Sequence, residues 1–390
     1  MIPAMKTNRP ALSVWQVVAL ACLTALFASG PGCGKSGGDT TASSEGTPGG
    51  GLVVRPPVRV VMHMNVSGMD RSYILRLPAG YDGQKKLPLV MLLHGASDSA
   101  AYAEQAYGFA EKADKEDIIL VLPDAIGDRH AWDSIGTKAD EGDGDMEFLK
   151  KVLDEVTKPS SAPAAASTGP ATTSASRNAG ILPAPPNAGT ATAPGVAGMP
   201  PAQLPDTAPR YAVDTTRLYV AGHSAGAIMA YQLAAAMPER FAAVGIVAGT
   251  VGWHGDDDVM HTIPRPKVGI SVIAFHGKQD TNIVFEPDLG LGKNDYYTIG
   301  ARESAAWWAE TDHCGMRPVI TALANGAVER RLYVNIEKNL DVVLYSLRDG
   351  NHMWPGGKEM PGKTEKPIQV ISATDLMWDF FKAHSRNEGP

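Results

Sequence analysis

Gly222-His223-Ser224-Ala225-Gly226 is the segment that most restricts what this 390-residue chain can fold into. It follows an apolar run at 217–221 and precedes a stretch rich in small residues, 225–237, that stops at Pro238. A short apolar run, a serine between glycines and a helical stretch, in that order, describe a strand-to-helix turn so sharp that the serine projects from its apex. Glycine on both sides is what the close approach of strand and helix demands, because a Cβ there would collide. Taken alone, the pentapeptide also suits a glycine-rich turn with a solvated serine, and a chain with 41 glycines offers many chances for such a match. The surrounding pattern decides between the two.

Unbroken or nearly unbroken apolar runs at 89–93, 118–122, 244–248, 270–275 and 342–347 read as strands covered on both faces. Residues 59–65 and 72–77 alternate instead, and Ser67-Gly68-Met69-Asp70 between them predicts a hairpin at the amino-terminal edge of the sheet. With 217–221 these make eight strands, mostly parallel. Helices are predicted over 100–115, 145–158, 225–237 and 302–311. Strands alternating with helices imply an open sheet covered on both faces, with ligands bound outside the carboxyl ends of the strands. His94-Gly95, Ser224, Asp280 and His352 each follow the end of a predicted strand, and the last three run in the chain order Ser, Asp, His.

The chemistry follows from those positions. A serine hydroxyl needs a base within hydrogen-bond reach to become a nucleophile. His352, in a loop stiffened by Pro355, Gly356 and Gly357, is the candidate, against the plainer reading of a surface histidine. The imidazole needs a carboxylate to fix its tautomer. Asp280, just past the run ending at Phe275, is favoured over the acidic run 256–258, although an aspartate there could equally cap a turn. An oxyanion would be met by two backbone N–H groups, those of Ala225 and Ala96. His94, His223, Trp132 and Trp354 are candidates to line a substrate pocket, with His94 better suited to brace its loop than to react; the tryptophans serve equally as core.

Other features bound the function. The net charge of −7 without a basic block argues against nucleic acid. Lys6 and Arg9 precede the uncharged run 11–28, which reads as an export signal ahead of a tether rich in Gly, Ser and Thr, 34–51. Gly30-Pro31-Gly32-Cys33 resembles the lipobox of bacterial lipoproteins, so Cys33 is a candidate lipidation site and membrane tether; plain secretion and an uncleaved anchor are the alternatives. Residues 159–209, mostly Ala, Pro, Thr, Ser and Gly, cannot bury enough apolar surface to order, and are expected as an insertion within one catalytic domain, 52–390. No H-E-x-x-H or paired-cysteine spacing supports a metal, and Gly32 to Ser36 imitates a P-loop tail without the strand a P-loop needs.

Together these elements resemble the extracellular serine esterases of α/β-hydrolase fold grouped with poly(3-hydroxybutyrate) depolymerases and with feruloyl and acetyl-xylan esterases. The resemblance runs from about Arg71 to Phe381, apart from the insertion. It rests on residues 70–73, 87–90, His94-Gly95, Pro123-Asp124, Trp132, 145–149, 217–226, His276-Gly277 with Asp280, and Gly350-Asn351-His352-Met353-Trp354-Pro355-Gly356-Gly357. It implies a single-domain α/β-hydrolase, Ser224 as nucleophile, Asp280 as acid, His352 as base, no cofactor, and an ester substrate: small, oligomeric, or a plant polysaccharide ester. Where relatives often carry cysteine after His-Gly this chain has Ala96, and Cys314 has no evident partner, so no disulfide is expected. The lack of a recognisable polymer-binding module points away from insoluble polymer. A serine peptidase of the same fold and a catalytically inert surface-binding lipoprotein are the rival readings.

Overall fold

Runs of Leu, Val and Ile too short for helices form the centre of the sheet. The computed structural model describes residues 56–127, 130–133, 144–158, 211–254, 259–286 and 298–386. The chain divides into Met1–Leu52 and Val53–Pro390, and every described residue belongs to the second unit. The expected export segment with Cys33, the tether 34–51, the insertion 159–209 and the acidic run 256–258 lie outside the described residues.

The strands are β1 (Val58–Val66), β2 (Met69–Leu77), β3 (Leu87–Leu93), β4 (Ile119–Pro123), β5 (Val213–His223), β6 (Ala243–Val247), β7 (Gly252–His254), β8 (Met260–Thr262), β9 (Ser271–Gly277), β10 (Val319–Leu323), β11 (Val328–Asn335) and β12 (Leu340–Leu347). Ten of them form one sheet in the order β1-β2-β4-β3-β5-β6-β9-β12-β11-β10, while β7 and β8 pair separately. The run from β4 to β12 is parallel throughout. The hairpin β1–β2 closes one edge, through Ser67 and Gly68, both at the positive φ that a two-residue turn between twisted strands requires. At the other edge the sheet exceeds the eight expected strands by β10 and β11, both antiparallel. Their apolar residues do not form a buried run: β10 is almost wholly exposed, and β11 places Glu329, Arg330 and Arg331 in succession.

The helices are α1 (Ala100–Ala106), α2 (Phe109–Glu116), α3 (Asp145–Thr157), α4 (Ala225–Ala236), α5 (Ala301–Thr311) and α6 (Ala373–Ala383). The single helix expected over 100–115 is two, because Gly108 adopts φ +77° and caps α2. On one face of the sheet α3, α4 and α5 bury Phe148, Val152, Leu233 and Trp308; on the other α1, α2 and α6 bury Phe109, Met377 and Phe381. Helix α4 is apolar nearly all round, as a helix buried at the centre of a layer should be. α3 and β5, which flank residues 159–210, pack into the same cluster. Helix α6, not foreseen from the sequence, stacks Phe381 on Tyr219 of β5 at 4.5 Å between ring centres. Gly245 on β6 makes room for it, since a Cβ there would lie 2.2 Å from Met377 Sδ.

Asp312, which ends α5, is 1% exposed. One of its oxygens accepts from Ile270 N at 3.1 Å, and the other has no partner among the described residues. Burial pushes its carboxyl up to about 7, against the Ile270 hydrogen bond and the Lys338 charge, both of which favour the anion. The folded state therefore keeps a proton that the unfolded chain releases near pH ~4, so this group costs stability as pH rises through that window. Neutral His223 has the opposite sign below pH ~6.5, so the informative quantity is the difference between variant and parent. Asp312→Asn should gain ~1–3 kcal/mol relative to the parent between pH 5 and pH 8, measured by urea denaturation at both values.

Candidate active site

Ser224 occupies the turn between β5 and α4 with φ 54° and ψ −122°. A residue with a Cβ adopts that backbone only at a cost of ~1–3 kcal/mol, so the surroundings must enforce it. They do so by contact. A Cβ on Gly222 would lie 2.2 Å from Gly226 O, and one on Gly226 would lie 2.3 Å from His94 O and 2.6 Å from Leu93 O. Strand β5, helix α4 and the end of β3 thus meet backbone to backbone. Ser224 N donates to Val247 O at 3.0 Å, which fixes the turn against β6.

Two further loops close on the serine. His352 lies at 2.8 Å through Nε2 from Ser224 Oγ and at 2.8 Å through Nδ1 from Asp280 Oδ2. Asp280 is fully buried, and its Oδ1 accepts from Asn282 N and Ile283 N at 2.9 and 3.0 Å. Burial pushes its carboxyl up, but hydrogen bonds from His276 and His352 outweigh burial and hold it well below the usual carboxylate range. The anion is therefore present at any pH at which the fold is expected to work. The loops of Asp280 and His352 pack through Gly277, where a Cβ would stand 2.3 Å from Gly350 O. They are joined by Lys278 N to Leu347 O and Gln279 N to Gly350 O, both 2.8 Å.

The loop after β3 forms the opposite wall. Gly95 faces the serine, since a Cβ there would lie 3.4 Å from Ser224 Cβ. Ala96 is exposed, and its N–H meets no backbone carbonyl among the described residues. Ala225 opens α4, where a first-turn N–H has no acceptor within the helix. The two residues expected to supply oxyanion N–H groups thus follow Gly95 and Ser224, where the loop after β3 meets the start of α4.

The four residues expected to line a pocket are placed otherwise. His94 is completely buried; Ala125 N donates to its Nε2 at 3.0 Å, and its Nδ1–H donates to Gly95 O at 2.8 Å. Trp132, 1% exposed, donates to His94 O at 2.8 Å. Trp354, 2% exposed, stacks on Tyr107 and donates to Thr374 Oγ1 at 3.0 Å. His223 is buried between Tyr107 and the His352 backbone. All four are buried behind the walls, their polar atoms hydrogen-bonded within the protein.

Sequence reasoning did not single out Arg71 and Asp145 as a pair. Both are wholly buried and hydrogen-bonded to each other, with the guanidinium over the Phe148 ring at 4.2 Å. Asp145 Oδ2 accepts from Asp133 N at 2.7 Å, next to the Trp132 that braces His94. An arginine in a strand register that buries its neighbours was the available signal. Among the described residues no group of three or more His, Cys, Asp or Glu is placed to hold a metal ion.

A central parallel sheet wrapped by helices on both faces, with the serine turn at the carboxyl end of β5, defines the α/β-hydrolase fold. No protein-family model matches the chain. The protein described as "Putative esterase NocK" from Nocardia uniformis subsp. tsuyamanensis is 24% identical over 342 residues, covering 81% of this chain and 80% of that one. Of the solved structures, acetyl xylan esterase from Aspergillus awamori aligns with a TM-score of 0.46 at 13% identity, over 80% of this chain and 94% of its own. Est1E from Butyrivibrio proteoclasticus aligns with a TM-score of 0.40 at 12% identity, over 82% and 98%.

Arg71→Met strands the Asp145 carboxylate in the core and should cost ~3–5 kcal/mol. Adding Asp145→Leu removes the stranded charge and should recover part of that loss. Urea denaturation of the single and double variants reads both effects.

Proposed function

We propose that this chain is an exported serine esterase that hydrolyses carboxylic esters through Ser224, His352 and Asp280. The observation that carries the reading is the His352 imidazole, 2.8 Å from both the serine hydroxyl and a buried, ionised carboxylate. In this mechanism His352 Nε2 takes the hydroxyl proton as Ser224 Oγ attacks the ester carbonyl. Asp280 holds the ring with its proton on Nδ1 and stabilises the imidazolium that forms. The negative oxygen of the tetrahedral intermediate is met by the Ala225 and Ala96 N–H groups, each worth ~3 kcal/mol. His352 then hands the proton to the leaving alcohol, and water, activated by the same imidazole, releases the acid from the acyl-serine.

The esterase name of the Nocardia relative supports ester chemistry over peptide chemistry. The resemblance read from the sequence favours hydroxyalkanoate, feruloyl or acetyl esters as substrates. Export rests on the charged start and the apolar run 11–28, with lipid on Cys33 as the tether.

Ester hydrolysis is tested with p-nitrophenyl acetate, methyl ferulate and a 3-hydroxybutyrate dimer beside peptide anilides. The parent should cleave esters and spare anilides, and Ser224→Ala should lower kcat by at least ~10⁴-fold. Retained ester hydrolysis in that variant, or anilides cleaved as fast as esters, would overturn the reading.

A further inference from the structure

The histidine before the nucleophile is tied to the histidine that would activate it. His223 Nε2 lies 2.6 Å from the main-chain oxygen of His352. A carbonyl only accepts, so the ring proton must be on Nε2, which leaves Nδ1 as an acceptor. The Tyr107 hydroxyl stands 3.2 Å from Nδ1 and supplies that donor. Tyr107 in turn stacks on Trp354, with 4.4 Å between ring centres and 7° between planes. Trp354 is two residues beyond His352 in the same loop. Thr374 of α6 closes the arrangement, accepting from Trp354 Nε1 and donating to Tyr107 O. The contacts form a ring: the His352 backbone to His223, His223 to Tyr107, Tyr107 to Trp354, and Trp354 along the chain back to His352.

We propose that His223, oriented by Tyr107, is a positioning residue that holds the main chain of His352 so that its imidazole spans Ser224 and Asp280. The assignment rests on the triad reading above and extends it to a residue that touches no substrate. A protonated His223 could not accept from Tyr107, and the site prevents protonation. Burial and the neighbouring His352 push the ring down to about 3, Lys363 acting in the same direction and Asp280 against it. Burial, with His352 and Lys363, outweighs Asp280 and the hydrogen bond to the His352 carbonyl, so the ring is neutral wherever the enzyme would work. Its neutrality also means that replacing it removes hydrogen bonds without removing a charge.

The test is steady-state hydrolysis of p-nitrophenyl acetate by the full chain, with urea denaturation as the check on folding. His223→Leu should lower kcat ~10–100-fold with KM within about threefold, because orientation rather than binding is lost. His223→Gln, which restores a donor at the Nε2 position, should return kcat to within about threefold of the parent. Tyr107→Phe keeps the stack and should lose ~3–10-fold in kcat, again with KM within about threefold. A folded His223→Leu with parental kcat overturns the proposal, as does His223→Gln falling as far as His223→Leu. If His223→Leu does not fold, Tyr107→Phe with parental kcat overturns it. Full activity in Ser224→Ala would instead overturn the triad reading, and this assignment with it.

Discussion

The close approach of two backbones, at Gly226 against the end of β3, is the constraint on which the rest of the site depends. With hydrogen as the side chain, α4 starts within reach of His94 O, and no other residue fits there. That contact compresses the turn after β5 and drives Ser224 to positive φ, so its hydroxyl stands clear of both strand and helix. The same compression brings Gly95, with Ala96 after it, against the serine that precedes Ala225, the first residue of α4. Strain of this kind persists only where the scaffold over-determines it. Here the scaffold is the buried centre of a parallel sheet, whose strands β3, β5 and β6 are all in register across the turn.

Topology supplies the other half. β5, β6, β9 and β12 are successive neighbours in the sheet, and all point the same way. Ser224 leaves the first of these, Asp280 follows the third and His352 follows the fourth. Residues 128 positions apart in the chain therefore meet at one rim without any long connection being ordered for that purpose. The carboxylate is buried and satisfied by two backbone N–H groups before the imidazole reaches it, so its orientation is set by its own turn. The main chain of His352 is reached by a second set of contacts, through His223, Tyr107 and Trp354.

Much of this was legible in the sequence, for reasons that differ by element. The eight strands expected from apolar runs and alternation are present because central parallel strands are buried on both faces and edge hairpins on one. The elbow was legible because its glycines have a steric purpose, and the positions of Asp280 and His352 because each follows the end of a strand. β10 and β11 were not: Glu329, Arg330 and Arg331 interrupt the apolar residues of β11, and β10, though largely apolar, is a short exposed edge whose pairing is decided by the neighbouring strand. Helix α6 did leave a signal: Ser372 caps Asp375 N, and Met377 and Phe381 follow at helical spacing. The pocket candidates were left open by the sequence for a different reason. A histidine or tryptophan near a motif looks the same in sequence whether it faces a cleft or braces the wall behind it, and only the backbone partners of His94, Trp132, His223 and Trp354 distinguish the two.

The central claim is that Ser224 is a nucleophile activated by its neighbours. Peptide mapping by mass spectrometry after exposure to a fluorophosphonate tests it most directly, because the reagent phosphonylates a serine only where a base and an oxyanion site are already in place. The account predicts one modified peptide, with the added mass on Ser224 and ester hydrolysis lost in proportion. An unmodified protein, or a stoichiometric adduct on a different serine with hydrolysis abolished, would contradict it.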